Sequence, residues 1–372
     1  LATNYARLRA AAGDAAVMAV VKGNGYGHGA VECARALAQA GAEWLGVTFA
    51  AEGAAVRQAV GADIRIFVMR GLLPDEAETA IKHSLTPVVW TAEQMDALES
   101  AAAKLGVKSF AVHVEIDSGM SRQGVSLEKL PELLARFAKS STLRLEGVMT
   151  HFAAAEDVAS AQNVSQMKRF DKALETVQAA GLRPEWVHAG NTSAVDAGKA
   201  LPMLRLLAER VGARLMFRTG IGLYGYALPL MGAASQVRGS LQPALSWKTR
   251  VIAVSEVVAG ARVGYNGTFT ADRPMRLALL AVGYADGLRR ELSNAGEVLI
   301  AGKRARVLGR VSMDVTTVDV TEIAGVSAGD EVVLLGAQGG ERITADDHAR
   351  VAGTIAYEIL CGIGSRVPRL YV

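Results

Sequence analysis

Residues 17–29 read VMAVVKGNGYGHG: an apolar run, one lysine at its end, then four glycines, a tyrosine and a histidine within seven residues. A short apolar run bounded by glycine reads as a buried strand, which puts Lys22 at a strand end. Burial there disfavours the ammonium form and pulls a lysine below its ordinary value of about 10.4. Such a lysine serves as a nucleophile or a base. On these residues alone, a lysine snorkelling from a strand end beside an ordinary glycine turn is the alternative.

The same pattern recurs along the first two thirds of the chain. Strands are expected at VMAVVK (17–22), WLGVT (44–48), IRIFVM (64–69), LTPVVW (85–90), FAVHVEID (110–117), LRLEGVMTH (143–151), EWVHA (185–189) and RLMFR (214–218). Between them lie alanine-rich amphipathic segments such as 29–41, 91–106, 126–140 and 160–181, the last closed by Gly181. Alternating strands and helices imply a parallel sheet, and eight such units favour a closed (β/α)8 TIM-like barrel. Beyond about residue 235 the texture turns β-rich, with close-set Gly and Asp turn signals. The fold class is therefore α/β, a barrel over 1–235 followed by a mostly-β domain over 236–372, with MGAASQVRGSLQ (231–242) as the linker.

Composition narrows the function classes. The 372 residues are 51% hydrophobic and 21% charged, with a net charge of +3, as in ordinary globular proteins. Local basic stretches are too scattered for a nucleic-acid stripe. No apolar run is long enough to span a bilayer, so no membrane partner is expected. Cys33 and Cys361 form neither a disulfide framework nor a metal-ligand pattern, so no metal and a reducing, cytoplasmic setting are expected. Leu1 without a preceding methionine is expected to continue a longer N-terminus, and a leader stays open.

Barrel chemistry sits at the C-terminal ends of strands, with phosphate held after strands seven and eight. HAGNTSA (188–194) offers the Thr192 and Ser193 hydroxyls there, and FRTGIGLYG (217–225) offers backbone N–H groups at Gly220 and Ile221. A phosphate-bearing cofactor beside a strand-end lysine points to pyridoxal 5'-phosphate, whose aldehyde condenses with lysine.

At this point VVKGNGYGHG resembles the VKANAYGHG signature of alanine racemases, with Gly23 and Gly25 in place of alanines. IDSGMSRQG, MTHFAAAE, HAGNTSA, FRTGIGLYG, VGYNGTF, GYADG, GRVSMD and YEILCGIGSRVPR follow in order, so the resemblance spans nearly the whole chain. It implies a pyridoxal-phosphate isomerase acting on L- and D-alanine, working as a homodimer whose β domains complete each other's sites. Lys22 then corresponds to the Schiff-base lysine and one catalytic base, and Tyr265 of the partner subunit to the second. Inverting a stereocentre requires a proton donor and acceptor on each face. The resemblance supports Tyr265 with a hydrogen-bonded chain through His151 to Arg218. It places Arg218 against the pyridine nitrogen, where barrel decarboxylases of similar build carry a carboxylate. An arginine only donates, so the nitrogen stays an acceptor, which favours racemisation over transamination.

The resemblance further assigns Tyr26, Thr192, Gly220, Ile221 and Tyr357 to the phosphate. Arg122 and the Met313 N–H fall to the substrate carboxylate, and Tyr284 to the entrance. One departure stands out. Many relatives carry a carbamylated lysine seven residues before the motif arginine, whereas here that position is Glu115. The expectation is that its carboxylate replaces the carbamate as the acceptor for Arg122 through a charge-assisted pair, with room for a water or small anion because the side chain is shorter. Ser121, Thr192 and Ser312 are conservative departures. Two other functions remain open at this level: a broader racemase acting on serine, lysine or arginine, and a pyridoxal-phosphate carrier without turnover. Carriers lack a β domain bearing Tyr265.

Overall fold

The computed structural model describes residues 1–372 and divides them into two units, Leu1–Gly25 with Gly29–Gln242, and Tyr26–His28 with Pro243–Val372. In the first unit eight parallel strands close into a barrel: β1 (Ala16–Val20), β2 (Trp44–Val47), β3 (Arg65–Val68), β4 (Thr86–Val89), β5 (Phe110–Glu115), β6 (Leu143–Met149), β7 (Trp186–His188) and β8 (Arg214–Thr219). All eight coincide with the expected runs. β1 pairs with β8, so the sheet has no open edge. Met18, Trp44, Phe67, Val88, Met149, Trp186 and Met216 fill the barrel with side chains from seven strands.

The helical segments begin where capping chemistry permits. Thr91 accepts from the Gln94 N–H and starts the helix Ala92–Leu105, which ends at left-handed Gly106. The segment at 126–140 becomes helical only over Leu130–Lys139. Pro131 lacks an N–H and fits the first turn of a helix, so the helix starts beside it.

The stretch 231–242 is tied to the barrel unit. Asp196 Oδ1 accepts from the Val237 N–H at 2.8 Å and from the Ser235 hydroxyl at 2.6 Å. Asn4 exchanges two hydrogen bonds with the main chain of Gln242. Two buried side chains, Asn4 and Asp196, hold this linking segment down through these bonds.

The second unit contains a seven-stranded sheet built on the long strand β9 (Trp247–Val257), which pairs antiparallel with Met275–Leu280 and Glu331–Gln338. A two-stranded ribbon, Arg262–Val263 with Phe269–Thr270, carries a tight turn at Tyr265–Gly267. Two short helices, Ala345–Ala352 and Ala356–Cys361, complete it.

Candidate active site

The glycine-rich stretch after β1 winds the unusual way. Gly23, Asn24 and Gly25 have φ of 61°, 52° and 63° with ψ between 42° and 46°, one turn of left-handed backbone. Side chains with a Cβ resist that conformation, which explains two glycines and an asparagine in sequence. The Glu52 carboxylate accepts from the N–H groups of Gly23 and Thr48, at 3.0 and 2.7 Å, and Asn24 Oδ1 accepts from the Ala30 N–H. The turn is therefore pinned at the two residues that follow Lys22.

Arg218 is the hub of the barrel interior. Its Nη2 donates to the Thr150 carbonyl at 2.8 Å and to His151 Nδ1 at 3.1 Å. Its Nη1 donates to the His188 carbonyl at 3.1 Å and to His188 Nδ1 at 3.2 Å. The remaining donor, Nε, is buried with no partner. Burial pushes the guanidinium down to about 10, so it stays protonated at neutral pH. A buried orphan donor on a group that can only donate fits an acceptor such as an unprotonated ring nitrogen.

His151 is held in one protonation state. Burial, then the Arg218, Arg122 and Lys22 charges, push it down to about 3. It is neutral, and because Arg218 occupies Nδ1 as an acceptor, the proton resides on Nε2. Its main chain is fastened by Gln166, whose Nε2 donates to the His151 carbonyl at 2.8 Å and whose Oε1 accepts from the Ala153 N–H at 2.9 Å. Gln166 and His188 lie outside the motifs' expected site set. Gln166 carried no signal beyond a polar residue on an amphipathic helix. His188 did: it interrupts an apolar strand.

At the ends of β7 and β8, Thr192 Oγ1 accepts from the N–H groups of Gly220 and Gly222 at 3.2 and 3.3 Å. Asn191 caps the short helix Thr192–Ala197 by accepting from the Ala194 N–H. These bonds bring Thr192 beside Gly220 and the adjoining Ile221. A Cβ at Gly222 would lie 2.8 Å from Thr192 Cγ2, so this close approach requires glycine.

Glu115 takes a direct partner that the motifs did not indicate. Its buried carboxylate accepts from Gln123 Nε2, which also donates to the Met69 carbonyl, and it forms no direct ion pair with Arg122. The neighbouring amide reaches the acceptor first, and Arg122 acts on it only as a nearby charge. Burial pushes the Glu115 carboxyl up, against the Gln123 bond and the Arg218 and Arg122 charges.

Within the second unit, Tyr26 is buried and its ring lies 5.9 Å from that of Tyr357, centroid to centroid. Burial pushes the Tyr26 phenol up. Tyr265, Tyr284 and Met313 are exposed at 69%, 43% and 54%. Met313 accepts through its carbonyl from the Ala285 N–H, and Ser312 likewise from Tyr284, which joins their two loops.

Comparison with known proteins follows the same division. Residues 1–228 match the alanine racemase N-terminal domain and residues 244–371 the alanine racemase C-terminal domain. The alanine racemase of Symbiobacterium thermophilum is 41% identical over 355 residues, covering 95% of this chain and 90% of that protein. The crystal structure of alanine racemase from D-cycloserine producing Streptomyces lavendulae has 34% identity and a TM-score of 0.90, covering 100% of this chain and 94% of that one. That of Bartonella henselae, solved with covalently bound pyridoxal phosphate, has 26% identity and a TM-score of 0.82, covering 100% and 96%.

Proposed function

Because this chain belongs to the alanine racemase family, we propose that it interconverts L- and D-alanine through two bases, Lys22 and the partner subunit's Tyr265. Pyridoxal 5'-phosphate, when bound, supplies an electron sink for the carbon that loses its α-proton. Lys22 and Arg218 would hold the reactive end and the ring nitrogen, with His151 beside them. Thr192, Gly220 and Ile221 would hold the phosphate, and Tyr26 and Tyr357 are the further phosphate candidates that the family resemblance carries.

The chain's own residues account for the direction of the chemistry. Arg218 has both terminal nitrogens committed and offers only Nε, a donor, to whatever lies against it. Facing a ring nitrogen, Arg218 would leave it an unprotonated acceptor, and so would weaken the sink and favour proton exchange over transamination. Neutral His151 retains one N–H, on Nε2, suited to stabilising a phenolate oxygen and so to making a tyrosine a competent base. Arg122 and the Met313 N–H are the proposed anchors for the substrate carboxylate, with Tyr284 at the entrance.

The exposure of Tyr265, Tyr284 and Met313 supports a homodimer in which each β domain serves the other subunit. D-alanine made in the cytoplasm would supply peptidoglycan. No helix is long and apolar enough to cross a membrane.

The observation that carries this reading is the buried Arg218 with its one unpartnered donor. The test is to incubate the purified protein and pyridoxal phosphate with L-alanine and measure D-alanine in a coupled assay, with serine, lysine and arginine as competing substrates. D-alanine formation faster than any other inversion is expected. Absence of inversion rejects the reading, and a faster rate on serine, lysine or arginine replaces it with the broader racemase.

A further inference from the structure

The polar chain that starts at Arg218 continues through the barrel core. His188 Nε2 lies 2.8 Å from His113 Nδ1, and His113 Nε2 lies 3.3 Å from Glu146 Oε2. Glu146 Oε1 accepts from Arg144 Nη2 at 2.8 Å and pairs with Arg65 Nη2 at 3.0 Å. The His113, His188 and Glu146 side chains are fully buried. Burial keeps both imidazoles neutral by pushing them below their ordinary value. Burial also opposes the Glu146 carboxylate, yet the bonds from His113 and Arg144 and the Arg65 charge hold it down at about 2.

The donors and acceptors in this chain admit one polarity. Arg218 cannot accept, so His188 Nδ1 must, and a neutral His188 then carries its proton on Nε2. That proton is donated to His113 Nδ1, which leaves the His113 proton on Nε2, facing a carboxylate that can only accept. Both ends agree. In the reverse polarity His188 would present an N–H to the Arg218 N–H.

The backbone is shaped for this chain. Between β5 and β6 the register slips: Val112 faces Leu145 but His113 faces Gly147, so Glu146 is the extra residue of a bulge. At Gly147 a Cβ would lie 2.5 Å from His113 Nδ1, so the histidine ring occupies space that only glycine leaves open. The two rings meet edge to face at 4.9 Å, with Phe67 packed against both.

We propose that Glu146, acting through His113 and His188, is the positioning residue that sets how Arg218 presents its free Nε. This rests on the reading that Arg218 faces the cofactor ring. With the carboxylate as terminal acceptor, both imidazoles are locked in one tautomer and the Arg218 Nη1 bond cannot be lost to a flipped His188. Replacement by an amide, which can donate, removes that lock.

Histidine-15N-labelled holoenzyme, measured by two-bond proton–nitrogen correlation and assigned with His113→Gln and His188→Asn, should show both residues as neutral Nε2–H tautomers. An Nδ1–H or doubly protonated form of either at neutral pH overturns the proposal, without any need for a Glu146 variant to fold. Glu146→Gln should introduce the second tautomer at both histidines and lower kcat about 10-fold, with KM for alanine changed less than twofold. Tautomer exchange with unchanged kcat, or a fall in kcat with tautomers unchanged, overturns it equally. The tautomers are read whether or not a ring faces Arg218, so failure here leaves the racemase reading intact, and failure to form D-alanine leaves the tautomers intact.

Discussion

The two units hold their candidate residues in opposite ways. In the barrel, Arg218 donates to His151 and Thr192 accepts from Gly220 and Gly222, and the neutral state of His151 follows from burial and from a partner that can only donate. In the β-rich unit, Tyr265 sits on a two-stranded ribbon turn with 69% of its surface exposed, and Tyr284 and Met313 are also open. The barrel surrounds its candidate residues with a preorganised environment, whereas the β unit leaves its candidates largely open. Removing a barrel residue should therefore cost stability and activity together, and removing a β-unit residue activity alone.

The largest effects test this division directly. Lys22→Ala is expected to abolish D-alanine formation, and Tyr265→Phe to lower kcat by about 10²- to 10⁴-fold while leaving unfolding free energy within about 0.5 kcal/mol of the parent. Mixing the two inactive proteins under subunit exchange should restore activity, up to roughly a quarter of the original sites in a two-fold dimer. No recovery, or full activity of a monomer, breaks the comparison.

Next in size is Arg218→Ala. It strips buried acceptors at Thr150, His151 and His188 of their donor, so denaturant unfolding should show a loss of about 3 kcal/mol or more beside the loss of activity. Stability equal to that of Tyr265→Phe would erase the contrast.

Acid stability sharpens it further. His151, His113 and His188 are buried neutral, with folded values pushed below the ordinary 6.5. The unfolded chain takes up their protons first, so their contribution is complete above about pH 6.5 and is lost as pH falls. The slope is roughly 1.4 kcal/mol per pH unit for each histidine that remains neutral, and for His151 it persists to about pH 3. Glu146, held at about 2 in the fold, adds stability that is lost only below the ordinary carboxylate value. Urea midpoints between pH 7 and pH 4 measure this, and a flat profile contradicts the buried neutral histidines.

The smallest expected change is at Glu115→Gln. Its carboxylate acts on Arg122 as a nearby charge and not as a direct partner, so KM for alanine should rise about 3- to 5-fold with kcat little altered. An unchanged KM removes Glu115 from the substrate-binding argument.

Much of this was readable in the chain. Lys22, His151, Arg218, Thr192 and Gly220 all lie at strand ends that hydrophobic patterning located, and each strand expectation matched the barrel. What patterning could not supply was pairing. Gln123 rather than Arg122 meets Glu115, and nothing in the spacing of IDSGMSRQG distinguishes the two. His113 and His188 were visible as polar residues inside apolar strands, but their contact depends on the register of neighbouring strands and on one extra residue at Glu146.

The amino-acid order by itself determined the alternation of strand and helix, the turn to β-rich texture, and the set of residue types at strand ends, because periodicity and backbone preference are local properties. Only the closed barrel decided which buried donors meet which acceptors. A one-residue slip between strands changes every contact across them, and low-dielectric burial then sets which atoms carry protons.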